Sequence, residues 1–227
     1  GFDHLLFLFC LVLPARGFKP LAVVVTAFTV AHSITLFSAA FGYAPDALWF
    51  PPLVETLIAV SIVYMALENI VLAVRPEGAA RPGVSRRWTI AFGFGLVHGF
   101  GFSFALQETL QFAGAHVVTS LFAFNVGVEL GQLLVVALMA PLLWLVFRFV
   151  VPQRVGIVIA SALAAHTAWH WMIERGSTLA KYEWWPPGPA GLATAVRMLM
   201  VVVAIAAVRW AWIRRRAQRA AIAEARE

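Results

Sequence analysis

Charge is scarce in this sequence. Only 12% of its 227 residues are Asp, Glu, Lys or Arg, about half the share of a soluble domain. The one cysteine, Cys10, allows no internal disulfide and excludes a disulfide-stapled secreted scaffold. Polar low-complexity tracts and the Gly-X-Y repeat are missing, which excludes a disordered chain and a collagen. No alternating apolar pattern of a β-barrel is found, and no internal repeat, nucleotide-binding motif or soluble domain. What is present is apolar: 62% of residues. That much apolar surface does not fit inside a water-soluble domain of this size, which argues against a soluble enzyme.

The apolar residues fall into runs long enough to span a bilayer, which needs about 20 residues at 1.5 Å rise each. Six full spans are expected at residues 21–41, 53–74, 88–106, 117–147, 155–173 and 192–213, after a partial one at 1–13. Pro, Gly and charged residues punctuate them. The run at 117–147 exceeds a perpendicular span and is expected to tilt, protrude or bend. Asp3 and His4 stand near mid-membrane when the first span is counted back from Arg16, so its upstream half is expected to lie outside this sequence. The fold class predicted is an all-α polytopic membrane bundle of about seven helices over residues 1–213, followed by a basic cytoplasmic tail at 214–227.

The formal charge of +6 resembles a nucleic-acid signal until its positions are read. Arg16, Lys19, Arg75, Arg81, Arg86, Arg87, Arg148, Arg154 and the six tail arginines all fall on one side of the predicted membrane. The opposite loops hold only Arg175 and Lys181. This asymmetry is topogenic: it places the C-terminus in the cytoplasm and removes the case for a nucleic-acid partner. The partner expected is the lipid bilayer.

Ionisable groups inside a bilayer are expensive unless paired or hydrated, so each is a candidate for function. Counting from the charged ends puts Asp3 and His4 of the first span, His32 of the second, His98 of the fourth and Glu129 of the fifth in one layer. Thr29 and Ser33 flank His32. Asn125, Glu129 and Gln132 share one helical face. Imidazoles and carboxylates suit a divalent ion such as nickel, zinc, cobalt or iron, with Asp3, His4, His32, His98 and Glu129 as ligands. Thr29, Ser33, Asn125 and Gln132 would orient those ligands. The alternative is that these groups only hydrogen-bond across helices. Gly95 and Gly99, and likewise Gly127 and Gly131, are small-xxx-small pairs that allow close helix approach.

Other polar residues extend the pattern. His166, His170 and Glu174 lie along one helical face at metal-ligand spacing, a possible second metal site. Glu55, with Asp46 and Glu108, would form an acidic outer vestibule. Glu68, with Asn69, would receive a cation leaving the centre.

Several of these segments resemble the HupE/UreJ family of bacterial membrane proteins, in its second branch. The resemblance lies in Asp3-His4 within residues 1–7, Ala31-His32-Ser33 within 26–36 and Val54-Glu55-Thr56 within 54–62. Val97-His98-Gly99-Phe100-Gly101 within 92–102 and Asn125-Val126-Gly127-Val128-Glu129 within 124–132 complete it. It covers roughly residues 1–135. The better-known branch is associated with nickel uptake for hydrogenase and urease. Its first motif has a His upstream of the Asp-His pair, and its second continues past His-Gly to another His and a Glu. Here the upstream His falls outside the sequence, and only His98-Gly99 of the second motif is matched.

The resemblance implies a multi-pass protein of the bacterial inner membrane. Together with the polar layer it implies a nickel-type transition-metal permease. Two alternatives stay open: a zinc-dependent intramembrane hydrolase with Glu129 as general base, and an accessory subunit bound to other membrane proteins.

Overall fold

Long apolar runs leave the backbone one way to satisfy its polar groups in lipid, the α-helix. A computed structural model describes residues 1–15, 17–76, 84–110 and 117–182, with side chains undescribed at 18, 84, 85, 105–110 and 117. These residues form six helices: α1 (Phe2–Val12), α2 (Phe18–Ala40), α3 (Phe50–Val74), α4 (Val84–Leu110), α5 (Val117–Phe149) and α6 (Gln153–Leu179). Among the described residues there is no strand. The chain is thus an all-helical membrane bundle, and α2, α3, α5 and α6 are each long and apolar enough to cross a bilayer. The predicted seventh span and the basic tail lie outside the described residues.

The helix ends follow local chemistry. Pro51 and Pro52 sit in the first turn of α3, where a missing N–H has no intrahelical partner to lose. Gly42 takes a left-handed φ of 79° just past α2 and donates its N–H to Ala39 O, as a helix-terminating glycine does. The helix α6 runs past the predicted end at 173, through Glu174 and Arg175, to Leu179. The longest helix, α5, has 33 residues and holds Pro141 in its interior. At 1.5 Å per residue it is roughly 50 Å long, well beyond the hydrocarbon thickness.

Packing is led by two helix pairs, α2 with α4 and α3 with α6, and α1 touches α2, α3, α5 and α6. The central helix α1 buries Phe7, Leu8, Cys10, Leu11 and Val12. Phe7, Cys10 and Leu11 join Phe28, Val54, Ile58, Ile62, Met65 and Ala168 in the main core. Asn69 of α3 ties α1 down by donating from Nδ2 to Cys10 O at 2.7 Å.

The α2–α4 contact is close because of two glycines. A Cβ on Gly95 would stand 2.5 Å from Phe28 O and 2.9 Å from Ala31 Cβ. A Cβ on Gly99 would overlap Thr35 Oγ1 and His32 O. Both helices start at the arginine-rich end, and His32 and His98 are each the fifteenth residue of their helix. Fourteen rises put both at roughly 21 Å along it. Gly95 and Gly99 therefore hold His98 against the turn of α2 that carries His32.

Candidate functional site

Three imidazoles from three helices meet beside the N-terminus of α1. The His4 ring centroid is 4.7 Å from that of His98 and 5.4 Å from that of His32, each pair standing edge to face at 83°. His32 and His98 are fully buried. Phenylalanines seal the group. Phe102 lies 4.5 Å from His4 and 5.4 Å from His32, Phe28 lies 5.2 Å from His98, and Phe7 lies 4.7 Å from His98. Phe28 and Phe102 sit one helical turn from His32 and His98, so i, i+4 spacing was the signal that could have found them.

Four ring nitrogens in this cluster are buried without a hydrogen-bond partner: His4 Nε2, His32 Nδ1, His32 Nε2 and His98 Nδ1. Buried polar atoms are rarely left so, because each forfeits its hydration. The remaining nitrogen of His98 is accounted for. Ser61 Oγ donates to Ile58 O at 2.6 Å, so its lone pairs accept from His98 Nε2–H at 2.9 Å. That bond assigns the proton to Nε2 and leaves the lone pair of Nδ1 facing the cluster. Ser61 was not singled out from sequence, since one serine in an apolar span reads as an ordinary back-bonding residue. In α3 it lies six residues, under two turns, after Glu55.

The polar residues of α5 join α2 around His32. Thr29 Oγ1 donates to Gln132 Oε1 at 2.9 Å, and Ser33 Oγ donates to Asn125 Oδ1 at 3.0 Å. These are the four residues expected to orient ligands, and each pair brackets the turn of α2 that carries His32. A cavity of about 420 Å³ between α1, α4 and α5 is lined by His4, Phe102 and Gln132, and leads to the His4 ring.

Of the two carboxylates in the predicted ligand set, Asp3 is engaged by an arginine. Asp3 forms an ion pair with Arg175 of α6, whose Nη2 donates to Oδ1 at 3.1 Å and to Oδ2 at 3.3 Å. Arg175 also donates from Nη1 to Glu55 O at 3.4 Å and stacks over Trp171 at 5.4 Å. Glu129, one turn from Asn125, is half-buried on α5. Among those residues no three His, Cys, Asp or Glu side chains stand at ligand distance from one point.

The flanking residues are placed as follows. Asp46 and Glu55 line one cavity of about 840 Å³ with Tyr182, while the side chain of Glu108 lies outside the described residues. Glu68 stands 3.4 Å from Arg86 at the arginine-rich end. His166 and His170 pair edge to face at 4.6 Å, and both residues and Glu174 are exposed on α6.

No curated protein and no solved structure matches the chain. The sequence profile described as HupE / UreJ protein matches residues 1–175. That stretch holds all three clustered imidazoles and extends beyond the roughly 135 residues that carry the motif resemblance. Matched over most of its length, the chain belongs to the HupE/UreJ family.

Proposed function

We propose that this chain is a transition-metal permease that passes nickel or a similar divalent cation across the membrane through His4, His32 and His98. One observation carries the reading: three imidazole rings from three helices pack against one another, and four of their buried nitrogens lack a hydrogen-bond partner. A dication is the partner that neutral imidazoles accept most readily. Family membership supports a membrane role connected with metals.

The charge balance favours transit over storage. Asp3 is already neutralised by Arg175, so a dication at the imidazoles meets neutral donors only. Such a site is favourable enough to enter and weak enough to leave, as conduction requires. The rings must rotate from their edge-to-face pose to bring three nitrogens within about 2.1 Å of one ion. His98 is held for this by Ser61, while Nε2 of His4 has no hydrogen-bond partner to give up. Supply would come through the vestibule of Asp46 and Glu55, which lies on the Arg175 side.

The test is nickel uptake into proteoliposomes, beside elemental analysis of the purified protein. Uptake should exceed that of empty vesicles and fall at least tenfold in His98→Ala and in His32→Ala. Uptake unchanged in both variants would remove these residues from the path. Stoichiometric tightly held zinc without uptake would favour the hydrolase instead.

A further inference from the structure

The arginine-rich end of the bundle contains a second cavity, separate from the imidazoles, that is mostly apolar with a few polar groups at its wall. The turn after α1, the end of α3 and the starts of α2, α4 and α6 surround a cavity of about 260 Å³. Arg87 lines it, and its Nε and Nη2 are both buried without a hydrogen-bond partner. Those two N–H groups form one edge of the guanidinium, the edge that grips a phosphate or carboxylate with two parallel bonds. A surface arginine would leave that edge to water. Here it is closed in.

Two further features define what fits. Asn69 lines the same cavity and is fully buried. Its Nδ2 is spent on Cys10 O, while its Oδ1 has no donor. The helix α6 begins at this cavity with Gln153 and Arg154, and no side chain caps its first turn. Unsatisfied N–H groups at such a terminus attract anions. Glu68, the nearby carboxylate, stands 3.4 Å from Arg86. Arg86 and Arg87 together outnumber this one carboxylate, whose charge reaches both, so this end of the bundle is a poor resting place for a cation. The occupant must therefore offer oxyanion atoms to the Arg87 edge and a hydroxyl to Asn69 Oδ1.

We infer that this cavity binds a phosphate group accompanied by a hydroxyl, delivered either by the phosphoglycerol headgroup of an anionic lipid or as free hydrogen phosphate. A bare carboxylate would leave Asn69 Oδ1 without a donor, and a choline headgroup has no hydroxyl to give. The site makes no use of the imidazoles, so it stands whether or not the chain transports a metal.

The experiment uses the full chain in phosphatidylcholine nanodiscs, with phosphatidylglycerol as one probe and inorganic phosphate as the other. Phosphatidylglycerol should raise the thermal midpoint, and native mass spectrometry should find a single molecule retained. Arg87→Lys keeps the charge but loses the two-pronged edge, and should weaken the apparent affinity about tenfold or more. Arg86→Lys should leave it unchanged. An equal response to inorganic phosphate identifies the free ion as the source and supports the same site. No response to either probe, or equal responses from Arg87→Lys and the wild type, would overturn it. If Arg87→Lys does not fold, retention by the wild type decides alone: no bound phosphate-containing molecule ends the proposal.

Discussion

Substituting Gly99 by alanine tests the contact on which the imidazole cluster depends. The new methyl group would overlap Thr35 Oγ1 and His32 O. The hydroxyl can rotate away, giving up its bond to His32 O at 3.2 Å. The carbonyl cannot move without displacing α2, because it belongs to the helix backbone. Overpacking of this kind costs about 1–3 kcal/mol. Against it stands the helix-propensity gain of Gly→Ala, about 1 kcal/mol. Gly93→Ala removes that ambiguity. It lies in the same helix, and its Cβ would meet nothing within 4 Å. The propensity term cancels between the two variants, leaving Gly99→Ala less stable than Gly93→Ala by about 1–3 kcal/mol. Reversible unfolding in mixed micelles measures the difference. Nickel retention measures the second consequence, since separating α2 from α4 draws His98 away from His32. If Gly99→Ala matches Gly93→Ala in both, the close packing of α2 on α4 is wrong, and the convergence of the imidazoles falls with it.

Two other outcomes follow from the hydrogen bonds around the cluster. Ser61→Ala leaves His98 Nε2–H buried without an acceptor; it should cost about 1–3 kcal/mol in unfolding experiments and lower nickel affinity about 10–100-fold in calorimetric titration. A stable Ser61→Ala variant with undiminished affinity would reverse the assignment of the His98 proton. For the Asp3–Arg175 pair, a double-mutant cycle with Asp3→Asn and Arg175→Gln should return a coupling of about 1 kcal/mol, and a coupling near zero would show that α1 and α6 are not joined there.

The spans were legible in the sequence because run length and helical rise are both local quantities. Residues 21–41, 53–74, 117–147 and 155–173 fall on α2, α3, α5 and α6 within a few residues. Depth was legible for the same reason: His32 and His98 lie equally far along helices that start at one end. Direction around each helix was not. Asp3 and His4 are neighbours in sequence, yet one turns to Arg175 and the other to the imidazoles. The two glycine pairs look alike on paper. Gly95 and Gly99 touch α2, while a Cβ on Gly127 or Gly131 would meet nothing within 4 Å.

Composition and periodicity by themselves determined that this chain is a bundle of membrane helices with histidines well inside them. Those facts depend on each helix alone. Only the tertiary structure decided that His4, His32 and His98 share one enclosure, that Ser61 sets the proton on His98, and that Asp3 faces an arginine. Each of these is a contact between residues far apart in the chain, and spacing along a helix carries no information about which neighbour its face will meet.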